Sequence, residues 1–257
     1  MTAKELMTAL IGAENTEKPT VDTCKHGDPD RLLKKVGVCL TATPDVLRAC
    51  EAWGADLLIT HECTYYDHHD VPREDPITKC KQELVESCSF TIWRFHDFIH
   101  HGIGNDGIHD GLIEKLALPG TFDGHRYFAL ETPVTPREIA KLLEERAGAT
   151  HARITGLPDE PVKKISLYLG ACGMQMDAFC SDDSELAIAG EQCEWRNVEQ
   201  MRDAAQFGMR KTLILIGHGV SEAPGMEQLA RKLSETYPEI ESRFFDCGDI
   251  YSYVEQK

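Results

Sequence analysis

The chain has 257 residues, 42% of them apolar, and a net charge of −16. This length and composition suffice for one large or two small α/β domains with a buried core. The acidic balance disfavours binding to nucleic acid or to an anionic membrane surface, because both are negatively charged. No stretch approaches the roughly 20 apolar residues that cross a bilayer. The charged N-terminus lacks the apolar centre of a secretory signal, so we expect a cytoplasmic protein.

Cysteine and histidine are distributed differently along the chain. The ten cysteines are scattered without a CxxC pair, which predicts reduced thiols and disfavours a thiolate zinc site. The histidines cluster beside acidic residues, a composition typical of metal binding. The clusters are His61, His68 and His69, then His96, His100 and His101, and finally His218.

Apolar periodicity and turn residues predict alternating helices and strands. The first series is a helix over 2–13, a strand over 36–40, a helix over 44–53 with Thr43 as its N-cap, a strand over 56–60, a helix over 77–88 and a strand over 90–95. A helix ending near 116 and a short strand over 127–130 follow. The second series is a helix over 135–147 and segments over 165–169, 174–181, 186–189, 198–207, 212–216, 222–237 and 243–245. Such alternation predicts an α/β fold with largely parallel or mixed sheets.

The second series follows the same pattern as the first, which indicates an internal repeat. Residues 36–62 align without a gap with residues 165–191, at an offset of 129. A further alignment, at an offset of 122, places His96 on His218. Chance similarity between two βαβ units is the alternative explanation. If the repeat is real, we expect two pseudo-symmetric α/β halves with a metal site in the cleft between them, over 1–120 and 121–257.

Imidazole and carboxylate groups follow several of the predicted strands, where α/β proteins usually carry their chemistry. Two metal ions about 3.5 to 4 Å apart need roughly five to eight N and O ligands. A mixed imidazole and carboxylate set suits two divalent transition-metal ions such as Zn, Fe or Mn. For His218 and Glu222 the alternative is that His218 caps a strand and Glu222 is a carboxylate in the first turn of a helix. The candidate ligands are His61, Glu62, His96, His100, His218 and Glu222.

Other residues near these positions have two interpretations each. Asp97 either orients the His96 imidazole or contacts a metal itself, with a plain turn residue as the alternative. Glu191, the repeat partner of Glu62, is a candidate general base or a surface carboxylate. Cys63 is interpreted as a turn residue in preference to a thiolate ligand. The stretch 67–70, with sequence DHHD, is predicted to be a solvated loop, with a position at the mouth of the cavity as the alternative.

Three stretches, LLITHE, WRFHDFIHHGIGNDGIHDGL and IGHGVSEAPGMEQLARKL, resemble the Nif-three-like dinuclear-metal family, also called GTP cyclohydrolase I type 2-like. The resemblance covers nearly the whole chain. It implies two related α/β halves, assembly into a hexameric ring from trimers, and a two-metal site between the halves. His61 matches the first histidine of the family's His-His-Pro motif, and Glu62 stands in place of the second. His100 stands where the family's His-Thr-Asn-x-Asp motif has its aspartate, so the two departures together keep the number of carboxylates.

Two functional hypotheses follow from the site and the resemblance. The first is a metal-dependent hydrolase of a small substrate, with Asp97 or Glu191 as the catalytic group that transfers a proton. The family name suggests opening of the purine ring of GTP, although no Walker-type phosphate loop occurs. The second is a non-catalytic protein that stores, senses or delivers metal, or an interaction scaffold. A nucleic-acid-binding ring is disfavoured by the acidic composition.

Overall fold

The fold is that of a computed structural model, which describes residues 1–102 and 104–254. Ile103, within the second of the resembling stretches, and residues 255–257 lie outside the described residues. Contacts divide the chain into two compact units. The first comprises Met1–Gly107 and Met226–Asp249, and the second comprises Ile108–Gly225 and Ile250–Lys257. Among the described residues, no helix combines the length and the apolar character that membrane crossing requires.

Helices and strands alternate as the sequence predicts, and most observed bounds lie within two residues of the predicted ones. The α-helices of the described chain are α1 (Ala3–Ile11), α2 (Pro44–Trp53), α3 (Pro76–Ser87), α4 (Asp97–His101), α5 (Gly107–Leu116), α6 (Pro136–Ala147), α7 (Glu199–Gln206) and α8 (His218–Thr236). The strands are β1 (Cys24–His26), β2 (Lys35–Cys39), β3 (Leu57–Thr60), β4 (Thr91–Arg94), β5 (Gly120–Phe122), β6 (Tyr127–Val134), β7 (Arg153–Thr155), β8 (Val162–Tyr168), β9 (Leu186–Ala189), β10 (Thr212–Leu215) and β11 (Glu241–Phe244).

Each unit contains one mixed sheet, so the α/β prediction is confirmed. In the first unit the strand order is β1-β4-β3-β2-β11, and only β1 runs antiparallel to its neighbour. In the second unit the order is β5-β6-β8-β9-β10-β7, with β8, β9 and β10 parallel and the remaining pairs antiparallel. The central strands β3, β9 and β10 are buried throughout, which explains their continuous apolar sequences.

The repeat extends to the capping of the helix that opens each series. Thr2 caps α1 and forms a capping box with Glu5, and Thr135 caps α6 and forms the same box with Glu138. In both cases the threonine side chain accepts from a backbone N–H three residues on, and the glutamate accepts from the threonine backbone. The order helix, antiparallel edge strand and three parallel strands then follows in each half.

Both halves contain the same contact between the turn after the antiparallel edge strand and the third parallel strand. Gly27 and Gly156 both have positive φ, and a Cβ atom at either position would lie 2.8 Å from the Cα atom of Thr91 or Thr212, respectively. The hydroxyl of each threonine donates to a backbone carbonyl of the same turn. Asp56 and Glu185, which precede β3 and β9, use one carboxylate oxygen to accept two backbone N–H groups. The donors are Lys34 and Lys35 in one half, and Lys163 and Lys164 in the other.

Strand pairing corrects one detail of the predicted repeat. Leu57 pairs with Thr91 in the first sheet, and Leu186 pairs with Thr212 in the second. The offset between the third parallel strands is therefore 121 and not 122, so His218 corresponds to Asp97 instead of His96. A fully buried strand has apolar residues on both faces, and its sequence therefore does not define its register to one residue.

Three further elements differ from prediction. Helix α4 was not predicted, and α8 begins at His218 where the sequence suggested Glu222. The start of α8 was obscured because its first two turns contain Gly219, Pro224 and Gly225, which are poor helix formers. The predicted segment over 174–181 is a 3₁₀ helix, Gly173–Cys180. The short edge strands β1, β5 and β7 also escaped prediction, since three residues carry too little periodicity.

Candidate metal centre

His61 follows β3 directly and is fully buried. Its Nδ1 atom lies 3.1 Å from the carbonyl oxygen of Phe95, the residue that follows the neighbouring strand β4. A carbonyl only accepts hydrogen bonds, so Nδ1 carries the proton of the neutral ring. The lone pair is then on Nε2, the form in which histidine binds a metal.

His96 is arranged in the same way by a carboxylate. Its Nδ1 atom lies 3.0 Å from Oδ1 of Asp97. Burial opposes ionisation of Asp97, but hydrogen bonds from His96, Thr20 and the Val21 N–H outweigh it and lower the pKa of Asp97 to about 2. Burial lowers the pKa of His96. Near neutral pH the pair is therefore a carboxylate and a neutral imidazole, which favours an orienting role for Asp97.

His100 completes a group of three imidazoles in the first unit. Its Nδ1 atom lies 2.9 Å from Oδ2 of Asp106. The ring centroid of His61 lies 4.6 Å from that of His96 and 5.4 Å from that of His100, and the last two are 5.8 Å apart. The structure thus brings together three predicted ligands, each with an oxygen atom at Nδ1.

Glu62 adds a carboxylate to this group. Ligand atoms of His61, Glu62 and His96 all lie within 4.8 Å of one another, a spacing that one metal ion could span. The Oε2 atom of Glu62 lies 4.0 Å from Nη2 of Arg94 and accepts the backbone N–H of Cys63. The backbone of Cys63 therefore supports Glu62 locally. Burial raises the pKa of the Cys63 thiol, which disfavours a thiolate ligand.

Two buried residues that sequence reasoning missed hold this group in place. Arg94 is almost completely buried, donates from Nε to the His61 carbonyl, and also donates to the carbonyl of His68. Asp22 accepts the backbone N–H groups of His96, Asp97 and Phe98, and so satisfies the start of the short helix α4. The sequence held one clue, an arginine inside the otherwise apolar run TIWRF.

The loop over 67–70 is not uniformly solvated, contrary to prediction. His68 and His69 are exposed, but the side chain of Asp70 is only 4% exposed. Asp70 pairs with Lys25 at 3.1 Å and lies 3.7 Å from Arg94. The buried arginine explains this burial, because it supplies a counter-charge that the sequence alone does not position.

In the second unit, His218 and two carboxylates lie near the carboxyl ends of β9 and β10. His218 lies 3.2 Å from Oε1 of Glu191 through Nδ1, and 3.0 Å from Oε2 of Glu222 through Nε2. Glu222 is nearly buried, whereas the Glu191 side chain is 59% exposed. Ligands of one ion are separated by about 3 Å when the metal–ligand distances are about 2.1 Å. The spacing of His218 and Glu222 therefore suits two ligands of the same ion.

Close backbone packing sets the position of Glu222. Gly170 has φ +63°, and a Cβ atom there would lie 2.1 Å from Oε1 of Glu222. The Ser221 hydroxyl accepts the Gly170 N–H at 2.9 Å and donates to the His218 carbonyl at 2.7 Å. Only glycine permits this approach between the turn after β8 and the first turn of α8.

The chain is similar in sequence to known proteins. The sequence matches the profile of Duf34/NIF3 (NGG1p interacting factor 3) over residues 21–248. A GTP cyclohydrolase 1 type 2 homolog of Clostridium perfringens is 22% identical over 221 residues, which are 81% of this chain and 81% of that protein.

Solved structures share the fold. Protein ybgI, described as of unknown function, superposes with a TM-score of 0.77 at 18% identity, covering 97% of this chain and 99% of that one. A Bacillus cereus protein related to NIF3 superposes with a TM-score of 0.73 at 12% identity, covering 99% of both chains. Identities this low establish a common fold and leave the chemistry to be argued from the residues.

Proposed function

This chain belongs to the DUF34/NIF3 family, and from that premise we propose that it binds two divalent transition-metal ions. Zn, Fe and Mn suit the donor set, which is mixed imidazole and carboxylate. The proposed ligands are His61, Glu62, His96, His100, His218 and Glu222.

One observation carries the proposal. Four of the proposed ligands are histidines, and an oxygen atom lies within 3.2 Å of Nδ1 in each. An oxygen partner at one ring nitrogen is the usual arrangement around protein metal sites, because it fixes the tautomer and the ring orientation. The partners are the Phe95 carbonyl, Asp97, Asp106 and Glu191.

We further propose that the centre serves a hydrolase that acts on a small, nucleotide-like substrate. Bound divalent cations supply positive charge that lowers the pKa of water and stabilises a developing oxyanion. Glu191 is the better candidate to move a proton, since its carboxylate is largely exposed and contacts His218. Asp97, with a pKa of about 2 and both oxygens hydrogen-bonded, holds the His96 proton. The name of the Clostridium perfringens relative supports a nucleotide such as GTP as the first substrate to test.

We also propose that the chain forms a homo-hexamer in the cytoplasm, as the family resemblance implies. Exposed large apolar residues in the second unit, including Trp195, Phe207 and Met209, support an interface there. The ten cysteines are free thiols, which supports a reducing compartment. Light scattering of the purified protein measures the assembly.

The test of metal binding is elemental analysis of untagged protein, with single alanine variants of the six ligands and His69→Ala as the control. We expect about two metal equivalents in wild type and in His69→Ala, and a clear loss in His218→Ala and His61→Ala. Loss in both Glu62→Ala and His100→Ala would support the exchange of ligand types at these positions. Protein that takes up no Zn, Mn or Fe(II) on reconstitution contradicts the proposal.

Activity requires a separate measurement. Metal-loaded wild type should consume GTP or a related nucleotide, and Glu191→Gln should retain metal while its turnover falls roughly 10²- to 10⁴-fold. Full metal occupancy without turnover of any nucleotide would favour the non-catalytic alternative, metal storage or delivery.

A further inference from the structure

A cavity in the first unit lies outside the ligand group described above. Its volume is about 400 Å³, within the usual range for small-molecule sites. The apolar part of its wall comprises Pro44, Pro76, Ile77 and Leu84, and the ring of Tyr66 adds an aromatic face. None of the residues that line the cavity is acidic, although the protein carries a net charge of −16.

The ammonium group of Lys81 is the main polar feature of this cavity. Lys81 lies on α3 and is only 4% exposed, and its Nζ atom lies 4.8 Å from the centroid of the Tyr66 ring. In the described part of the chain, no carboxylate forms an ion pair with it; Asp70 is engaged by Lys25 and Arg94. Burial lowers the pKa of Lys81. The Cys63 thiol and the Asp70 carboxylate offset only part of this effect. A buried cation without an ion-pair partner is costly, and an anion in the cavity would compensate it.

The backbone around Tyr66 holds its ring in this position at a conformational cost. Tyr66 has φ +64°, in the left-handed region that bulky side chains rarely adopt. Strained residues of this kind concentrate at binding and active sites. The strain is a second feature, independent of the lysine, that is typical of a ligand site.

Two helix N-termini add positive potential to the same cavity. Pro44 and Pro76 are the first residues of α2 and α3, and both line it. The N-terminal end of a helix carries a partial positive charge that favours anions. Arg48 also lines the cavity, and its pair with the exposed Asp45 is of the weak surface kind.

We propose that this cavity binds a small organic anion, a carboxylate or phosphate monoester attached to an apolar or aromatic group. The anionic end contacts the Lys81 ammonium, and the apolar body packs on Tyr66, Ile77 and Leu84. This site is distinct from the proposed metal ligands and does not depend on the proposed hydrolase activity.

The test is ligand-observed NMR titration of the full chain with benzoate, phenyl phosphate and the neutral analogue benzyl alcohol. We expect both anions to bind wild type, and the neutral analogue to bind at least about tenfold more weakly. Lys81→Met should lose at least about tenfold in anion affinity, whereas Lys79→Met, the same change at an exposed position of α3, should not. The anion that binds more tightly shows whether the site prefers a carboxylate or a phosphate monoester.

A second pair of variants guards against misfolding of Lys81→Met. Ile77 is 70% exposed at the cavity wall, so Ile77→Glu adds a negative charge without disturbing the core. It should weaken anion binding, and Ile77→Gln should not. Absence of anion binding, or equal affinity in Ile77→Glu and Ile77→Gln, overturns the proposal. Equal affinity in folded Lys81→Met and Lys79→Met overturns it too, because the anion would then be bound elsewhere, such as at the metal ligands.

Discussion

The Nδ1 atom of His100 lies 2.9 Å from Oδ2 of Asp106, and the carboxylate that holds it is only 7% exposed. Inspection of the sequence would not pair these residues, because His100 lies in the last turn of the short helix α4 and Asp106 precedes α5. The contact directs Nε2 of His100 away from the carboxylate. A ligand imidazole is thereby oriented before any metal binds.

We expect Asp106→Ala to weaken metal binding roughly 10- to 100-fold, since the orienting partner of a ligand histidine is lost. Asp106→Asn should have a smaller effect, because the amide oxygen can still accept the Nδ1 proton. Competition with a chromogenic chelator measures the affinity. Asp30→Ala, at an exposed aspartate of the same unit, is the control. Unchanged affinity in Asp106→Ala would show that the carboxylate does not act on the site.

Arg94 is expected to be essential to the stability of the first unit. Arg94→Ala leaves the His61 carbonyl without its cationic donor and leaves the buried Asp70 with Lys25 but without Arg94. It should lower the free energy of unfolding by about 3 kcal/mol. Arg73→Ala, at a side chain 65% exposed, should cost only about 0 to 1 kcal/mol. Urea denaturation measures both. Similar costs for the two variants would contradict the role assigned to Arg94.

Two glycines of the second unit provide a matched pair. Gly170→Ala should displace Glu222, because its Cβ atom would lie 2.1 Å from Oε1, and should lower both stability and metal content. Gly173 also has positive φ, but nothing lies within 4 Å of its Cβ position, so Gly173→Ala should cost only about 1 kcal/mol of backbone strain. If Gly170→Ala bound metal as wild type does, close packing would not determine the Glu222 position.

The stability of the metal-free protein should fall as the pH drops below neutrality. The pKa of His96 is lowered by burial from its ordinary value of 6.5, so the unfolded chain binds a proton there more readily than the folded chain. The stabilising contribution is therefore present above pH 6.5 and declines as the pH falls through and below that value. Urea denaturation in the presence of a chelator, at about pH 7.5 and 5.5, measures the change. His96→Gln should flatten this dependence, whereas His69→Gln should leave it intact.

Local signals made much of the fold predictable. Thr43 and Pro44 start α2 where the capping rules place it, and Thr135 caps α6 in the same way. The buried strands β3 and β10 appear in the sequence as short apolar runs. The ligand candidates were found because parallel strands bring their carboxyl ends to one edge of a sheet.

Residues that act through tertiary contacts were not predictable. Asp22 lies far in sequence from His96, Asp97 and Phe98, whose backbone N–H groups it accepts, and nothing local marks it. Asp70 appeared to belong to a solvated loop because its partners, Lys25 and Arg94, are distant in sequence. The register between the third parallel strands, β4 and β10, was predicted wrongly by one residue for a similar reason. Only the pairing of these strands with β3 and β9 reveals the difference.

The duplicated turn at Gly27 and Gly156 allows the same substitution to be compared in both halves of one molecule. A methyl group added at either glycine meets the same atom of a threonine at the same distance, 2.8 Å, in the same solvent and the same preparation. The neighbouring carbonyl is closer in the second half, because the added atom would lie 2.5 Å from the Lys211 carbonyl oxygen at Gly156 and 3.0 Å from the Phe90 carbonyl oxygen at Gly27. One polypeptide thus allows the tolerance of the two halves to the same substitution to be compared directly.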